Sequence, residues 1–223
     1  MDRKEHGTAR SGLITASIAS VIMKGGEGAW DTLIRNLWSD DGSDFTVASG
    51  GARAFGLEHE CVGRSLFWER HAKLEIDDPK FVHFSRKGFR TNHPYRRLLA
   101  CSPDLGVLNP DGSRWGGGEI KSPTSIEVYT GYTVYTSRDT VPPEHVDQVF
   151  FSMWVTGWEN WVFATHFNER YAETITTNQS PRFQAWVKSF RPKLDAFIAA
   201  YLEGKKPERD KLSASSLASL LRS

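Results

Sequence analysis

The spacing of apolar residues along the chain predicts five helices. From Pro181 to Glu203, aromatic and aliphatic residues recur every three or four positions, which gives a helix one buried face. Thr15 is a candidate cap for the first helix, and Gly25-Gly26 is a stop signal for it. The predicted helices are Thr15 to Lys24, Trp30 to Trp38, Phe55 to His71, Glu144 to Thr156 and Pro181 to Glu203.

Shorter apolar runs predict strands, and together with the helices they predict an α/β fold with a central mixed sheet flanked by helices. The segment from Ser125 to Val141 is ambiguous, because its Tyr and Thr residues favour an extended chain while its neighbours tolerate a helix. The stretch from Ser39 to Gly51 is rich in Asp, Ser and Gly and predicts a loop. The predicted strands are Phe81 to Phe84, Leu98 to Ser102, Leu105 to Leu108, Gly118 to Lys121, Trp161 to Phe167 and Ala172 to Thr176.

Length, charge and cysteine content narrow the classes of protein to consider. The 223 residues predict one domain, at residues 1–203, followed by a C-terminal tail at 204–223. A net charge of +1 means that any nucleic-acid binding depends on a local basic surface. Cys61 and Cys101 form no disulfide or zinc pattern. Without a membrane-length apolar segment or a secretory signal, the sequence predicts an intracellular protein with no membrane partner.

The most informative residues are two carboxylates and an amine around a predicted hairpin. Glu119 and Lys121 are one residue apart, so on a strand both side chains point to the same face while Ile120 points into the core. Asp104 is placed at the end of the preceding strand, and a turn at 109–112 brings it towards Glu119. Two close carboxylates repel each other unless a cation lies between them, and oxygen ligands suit Mg²⁺ or Mn²⁺. The glycines at 116–118 are interpreted as room for a ligand or a backbone to approach.

Other interpretations of these residues remain open at the level of sequence. A hairpin carrying Asp, Glu and Lys is often only a solvated surface. Glu60 is either a helix carboxylate that faces the sheet or an exposed helix residue, and Gln148 either orients water or phosphate or is a surface polar residue. A group near the first helix either binds an anion or simply caps the helix. The members of that group are Arg10, Ser11, Thr15 and Ser17.

Six segments occur in an order and spacing that resemble the phage lambda exonuclease and YqaJ-like viral recombinase family of nucleases. The resemblance covers most of the chain and includes the SPD, ExK and SMWVT strings. The segments are RSGLITAS (Arg10 to Ser17), FGLEHE (Phe55 to Glu60), ACSPD (Ala100 to Asp104), EIKSP (Glu119 to Pro123), QVFFSMWVTG (Gln148 to Gly157) and WVFATHF (Trp161 to Phe167).

The resemblance implies a restriction-endonuclease-like core in a magnesium-dependent enzyme. Such an enzyme degrades one strand of linear duplex DNA from its 5′ end, as a ring of three subunits in the cytoplasm of a bacterial host. Its partner is a single-strand annealing protein that coats the 3′ overhang. By the same resemblance, Asp104, Glu119 and the carbonyl of Ile120 match the direct metal ligands, and Glu60 matches the helix carboxylate.

The remaining site residues are carried over from the same family. Lys121 matches the lysine that activates water, and Gln148 matches the glutamine close to that water. The matches to the pocket for the terminal 5′-phosphate are Arg10, Ser17 and Ser102.

The sequence departs from the family pattern after the ExK motif. The family has an arginine there that contacts the 5′-phosphate, whereas this chain has Ile126 or Glu127 at that place. Arg138 is the candidate replacement, and without one the preference for a phosphorylated end stays open while the metal chemistry does not depend on it.

Two other functions fit the same residues. An endonuclease or repair nuclease uses the same ExK chemistry, because end preference depends on loops. A catalytically silent DNA-binding scaffold also fits the fold, but it has no physical need for a repulsive carboxylate pair.

Overall fold

The computed structural model describes residues 13–25, 27–38, 50–77, 82–83 and 98–203. Arg10, the predicted tail at 204–223 and nearly all of the predicted loop at 39–51 lie outside the described residues. The strands are β1 (Ile14–Thr15), β2 (Glu75–Asp77), β3 (Val82–His83), β4 (Leu99–Cys101), β5 (Leu105–Leu108), β6 (Arg114–Lys121), β7 (Asn160–Phe167) and β8 (Arg170–Thr177). The helices are α1 (Ala19–Lys24), α2 (Glu27–Trp38), α3 (Gly50–Arg70), α4 (Ile126–Thr136), α5 (Val146–Thr156) and α6 (Pro181–Glu203), with a 3-10 turn at Ala16–Ile18.

A mixed sheet of five strands in the order β2-β5-β6-β7-β8 organises the fold. Strands β6 and β7 pair in parallel, and the other neighbours pair antiparallel. A parallel pair needs a long crossover, which α4 and α5 supply. A smaller sheet, β1-β4-β3, joins β1 and β4 in parallel. The predicted α/β fold with a central mixed sheet flanked by helices is confirmed.

The two faces of the five-stranded sheet bury different cores, because side chains alternate along β7. Trp161 and Phe163 belong to the larger cluster, which also includes buried residues of α1, α2, α5 and α6. Val162 and Ala164 belong to a smaller cluster with Phe67 of α3. The sheet is therefore covered on both faces, and the segment that joins β6 to β7 runs over the larger core.

The structure differs from the predicted elements at β1, β2 and α4, and α3 begins at Gly50, inside the predicted loop. Strands β1 and β2 were not predicted, since two or three residues are too few to show an alternating pattern. Thr15 lies in β1 and makes no side-chain capping hydrogen bond. The ambiguous segment, for which composition favoured an extended chain, is the helix α4, and the Ser125 hydroxyl caps its first turn by accepting from the Val128 amide.

The three glycines at 116–118 lie inside β6, and neighbouring residues occupy the space beside them. A Cβ atom on Gly117 would lie 2.6 Å from Trp158 Cζ3 and 2.9 Å from Trp161 Cζ3, and one on Gly116 would collide with the carbonyl oxygen of Asn160. The two indoles stack with ring centroids 5.9 Å apart. Of the two alternatives that the sequence left open for these glycines, a ligand or a backbone, the structure supports the backbone: they make room for β7 and for indole rings.

Within the described ranges, no helix is both long enough and apolar enough to cross a membrane.

Candidate active site

The hairpin of β5 and β6 brings Asp104 next to Glu119. Leu105 pairs with Gly118, and the Asp104 amide donates to the carbonyl of Gly118 at 3.0 Å. The Asp104 Oδ2 atom accepts from the Ile120 amide at 2.8 Å. The sequence had suggested that Asp104 ends a strand. In the structure it instead directly precedes β5. This position holds its carboxylate across the hairpin from Glu119.

Glu119, Lys121 and Gln148 form one hydrogen-bonded group. Lys121 Nζ lies 2.5 Å from Glu119 Oε1 and donates to Gln148 Oε1 at 3.3 Å. Gln148 Nε2 donates to the same Oε1 atom of Glu119. Glu119 and Lys121 share a face of β6, as predicted, while Ile120 is buried among the residues of the smaller core. The first turn of α5 supplies Gln148, so the helix and the sheet meet at this group.

Electrostatics at this group favour a bound cation. Burial and then the charge of Glu119 raise the pKa of Asp104 well above its ordinary value. Burial works to lower the pKa of Lys121, but the charges of Glu119 and Asp104 outweigh it and leave that pKa raised. Lys121 therefore keeps its proton at neutral pH. Its positive charge lies beside two carboxylates that repel each other.

Glu60 reaches this neighbourhood from α3. Its charge contributes to the raised pKa of Asp104, which places it on the same side of the molecule. Its Oε1 atom accepts from Arg64 Nη2 at 2.6 Å, one helical turn away. Among the described residues, no three His, Cys, Asp or Glu side chains are arranged to hold a metal ion. The donor set that is brought together consists of Asp104 and Glu119, with the Ile120 carbonyl next to Glu119 in the chain.

The residues assigned to the 5′-phosphate are only partly described. β1 and β4 pair in parallel with Thr15 opposite Ala100, so Ser17 and Ser102 both lie two residues beyond that pair. Ser17 is exposed, and its Oγ atom lies 3.0 Å from Thr15 Oγ1. The candidate replacement Arg138 is exposed just after α4, where its amide donates to the carbonyl of Tyr135.

A family model for the YqaJ-like viral recombinase domain matches residues 5–159, which is well over half of the chain. The chain belongs to the YqaJ-like viral recombinase domain family. The matched region contains Glu60, Asp104, Glu119, Lys121 and Gln148, and the resemblance derived from the sequence is confirmed. No curated protein sequence matches this YqaJ-like chain significantly.

Solved structures of exonucleases share the fold of this YqaJ-like chain. The alkaline exonuclease LHK-Exo from Laribacter hongkongensis is 18% identical, with a TM-score of 0.65 over 98% of this chain and 96% of that chain. The same enzyme in complex with dAMP is also 18% identical, with a TM-score of 0.66 and the same coverage of both chains. A phage related exonuclease from Haemophilus somnus 129PT is 10% identical, with a TM-score of 0.59 over 88% of this chain and 96% of that chain.

The sequence reasoning missed residues that surround Lys121 of this YqaJ-like protein. His145 stacks on Phe163, with ring centroids 5.2 Å apart, and Tyr132 meets both rings edge-on. The charge of Lys121 influences the pKa values of both Tyr132 and His145, which shows that they lie near it. Only the helical face shared by His145 and Gln148 gave a signal for this contact in the sequence.

Proposed function

We propose that this protein is a Mg²⁺-dependent exonuclease that digests one strand of linear duplex DNA in the 5′-to-3′ direction. The 3′ single-stranded overhangs that remain would serve recombination by single-strand annealing. The single observation that carries this proposal is the site of Asp104, Glu119, Lys121 and Gln148 within a chain of the YqaJ-like family.

The donor set fits a divalent cation that prefers oxygen ligands. Asp104 and Glu119 are two neighbouring carboxylates, and the raised pKa of Asp104 reports their mutual repulsion as well as burial. Asp104, Glu119 and the Ile120 carbonyl would hold the metal, with Glu60 as the helix carboxylate. Bound Mg²⁺ or Mn²⁺ supplies Lewis acidity that polarises the scissile phosphate and acidifies a water.

Lys121 and Gln148 are the groups that would handle the attacking water. Protonated Lys121 can donate to a water or to a phosphate oxygen, and neutral Lys121 could instead take a proton from the water. Gln148 offers an NH₂ group with two donors and a carbonyl oxygen that accepts, which suits it to orient a water molecule. In the structure the Gln148 Nε2 group donates to Glu119 and its Oε1 atom accepts from Lys121, so the amide group is already oriented within the site.

Exonuclease activity on DNA is supported by family membership and by the structural neighbours, which are exonucleases. One of those neighbours was solved with dAMP. The phosphate pocket of Arg10, Ser17 and Ser102, the ring of three subunits and an annealing partner are proposed from the family resemblance. Sedimentation of the purified protein would test the ring, because a monomer or a dimer would contradict it.

The decisive experiment uses linear duplex DNA labelled at one 5′ end, with and without a terminal phosphate, in the presence of Mg²⁺. Covalently closed circular DNA is the matched control substrate. We expect rapid release of the 5′ label from linear DNA, with the circle intact. The two termini then show whether the phosphate pocket works without an arginine after the ExK motif.

The same experiment distinguishes the alternative functions. Cutting of the closed circle would assign the protein to the endonuclease or repair class on the same core. Failure to cut either DNA with Mg²⁺ or Mn²⁺ would favour the catalytically silent scaffold. Shortening of the labelled strand from its 3′ end, seen as a ladder of fragments that keep the 5′ label, would contradict the proposed direction.

A further inference from the structure

His166 of β7 joins two segments that carry site residues. It is buried, with 2% of its surface exposed. Its Nε2 atom lies 2.9 Å from the carbonyl oxygen of His59 and 2.7 Å from Ser122 Oγ. His59 precedes Glu60 on α3, and Ser122 follows Lys121 at the end of β6. One imidazole nitrogen therefore contacts both elements directly next to the residues assigned to the site.

The chemistry of these contacts fixes the state of the ring. A carbonyl oxygen can only accept, so Nε2 carries a proton that it donates to His59. Burial lowers the pKa of His166, which favours the neutral ring, and the contact with the His59 carbonyl is met by the tautomer that carries its proton on Nε2. Ser122 Oγ then accepts from the same N–H group, in a bifurcated hydrogen bond. The contact is a directed link, in which a single donor serves two acceptors from different elements.

At this point α3 packs closely against the sheet. A Cβ atom on Gly63 would lie 2.5 Å from Ile120 Cγ2 and 3.0 Å from His166 Cδ2. Gly63 follows His59 by one helical turn, so α3 touches β6 and β7 at the level of the His166 link. The distance between α3 and the sheet is set here by backbone contact and by hydrogen bonds together.

We propose that His166 is a positioning residue that fixes the Glu60 segment of α3 against the end of β6, and so sets the spacing between Glu60 and the Asp104–Glu119 pair. This inference rests on the proposed function, because the spacing matters only if these carboxylates share a metal site. The rigid link would reduce the movement of Glu60 relative to the other two carboxylates. Groups that orient ligands from outside the site typically change metal affinity tenfold to a hundredfold when removed.

The test compares four variants with the wild-type protein. His166→Leu removes the donor and keeps an apolar side chain, while His166→Gln keeps an N–H donor at similar reach. Ser122→Ala removes one acceptor. Val162→Ala is the matched control, because Val162 is buried in the same strand and faces the same core but makes no contact in the link. Mg²⁺ affinity is measured by calorimetry without DNA, and nucleotide release from linear duplex DNA is measured against Mg²⁺ concentration.

We expect His166→Leu to weaken Mg²⁺ affinity about tenfold or more and to raise the Mg²⁺ concentration needed for half-maximal rate. His166→Gln should restore most of both quantities, and Ser122→Ala should show a smaller change in the same direction. Val162→Ala should lower the melting temperature while Mg²⁺ affinity stays at the wild-type value. A merely structural histidine would instead behave like Val162→Ala.

Each result has one meaning. Wild-type Mg²⁺ affinity in His166→Leu, with a lowered melting temperature alone, overturns the inference and leaves the proposed function intact. If His166→Leu does not fold, Ser122→Ala decides, and unchanged affinity in that variant overturns the inference. A wild-type protein that neither binds Mg²⁺ nor cleaves DNA overturns the proposed function and the inference with it.

Discussion

The Oε1 atom of Glu119 accepts hydrogen bonds from both Lys121 Nζ and Gln148 Nε2, so the polar side chains of the site meet at one carboxylate oxygen. Charge-assisted hydrogen bonds of this kind are stronger than neutral ones and hold side chains in a fixed direction. The arrangement combines one contact between residues close in the sequence with one between residues far apart in it. Glu119 and Lys121 are neighbours on one strand, whereas Gln148 comes from the crossover helix. The sequence alone predicts the first pairing, but the second depends on how α5 packs.

Lys121→Met removes the ammonium group and keeps a flexible chain of similar length. We expect the cleavage rate to fall about a hundredfold or more, because a positioned proton donor or acceptor commonly contributes that much. DNA binding should persist, since the carboxylates and the backbone are unchanged. Rates are measured on 5′-labelled linear duplex, and binding by fluorescence anisotropy in Ca²⁺. Cleavage close to the wild-type rate would remove Lys121 from the mechanism.

His145 makes stability depend on pH in a way that a variant can isolate. Burial, followed by the charge of Lys121, lowers the pKa of His145 to about 3, while the unfolded chain has a pKa of about 6.5. Below pH 6.5 the unfolded chain therefore binds a proton that the folded protein does not, and stability falls with pH towards 3. Between pH 7 and pH 5 this one group lowers the free energy of unfolding by about 2 kcal/mol.

In His145→Phe an aromatic ring can still stack on Phe163, and the titrating group is gone. Chemical denaturation at pH 7 and pH 5 should show that the wild-type protein loses about 2 kcal/mol more than the variant. Equal losses in the two proteins would show that His145 does not titrate as its burial implies.

Among the secondary-structure elements, α4 is the one whose amino-acid composition favours an extended chain although the segment is a helix. Its Tyr, Thr and Val residues favour strands, but the threonine hydroxyls bond within the helix. Thr130 Oγ1 donates to the carbonyl of Ile126 at 2.8 Å, and Thr133 Oγ1 donates to that of Thr130 at 2.8 Å. The helix also lies on the crossover between two parallel strands, which demands a long connection. That demand comes from the pairing of β6 with β7, and no local pattern reveals it.

Gly63→Ala tests the close approach of α3 to the sheet. Ala raises helix propensity by about 1 kcal/mol, but the new methyl would lie 2.5 Å from the buried Ile120 side chain. Overpacking of this kind costs about 1–3 kcal/mol, so we expect a net loss of stability. Because Ile120 lies between Glu119 and Lys121, cleavage should fall as well. Thermal unfolding and rate measurements check both effects.

Gly131→Ala is the matched control, because a Cβ atom at this position of α4 meets no neighbouring atom within 4 Å. We expect this change to stabilise the protein by about 0.5–1 kcal/mol through helix propensity alone. If Gly63→Ala also raised stability, the contact of α3 with β6 would be looser than the structure shows.

Across the molecule, the strongly periodic helices and the β5–β6 hairpin were predicted, whereas β1 and β2 were missed and α4 was ambiguous. The periodic pattern of α6 predicts a helix from Pro181 to Glu203, and the structure has the same bounds. The hairpin carrying Asp104 and Glu119 was also predicted, because its turn and its strands are local in the sequence. Ser122 and His166 were missed as partners because they are 44 residues apart and meet only when β7 pairs with β6.

The position of the last core residues leads to a prediction about the tail. Phe197, Ile198 and Tyr201 are buried near the end of α6, with Phe197 and Tyr201 stacked. A chain that ends at residue 203 should therefore keep the melting temperature of the full chain within a few degrees. Tyr201→Ala in the full chain should lose about 3–5 kcal/mol, as for other buried aromatic truncations. A large loss on removing residues 204–223 would contradict the proposed domain boundary.

The bulge in the β5–β6 hairpin has a consequence for how the chain can vary. Pairing is regular from Leu105 to Val107, and the register shifts between Val107 and Leu108, towards the exposed turn. Asp104 lies at the other end, about 13 Å away at the rise of a strand. Changes in turn length are thus absorbed at the bulge before they reach the carboxylates. The loop at residues 109–113 is therefore a place where insertions, or a grafted reporter peptide, should be tolerated without disturbing the chemistry.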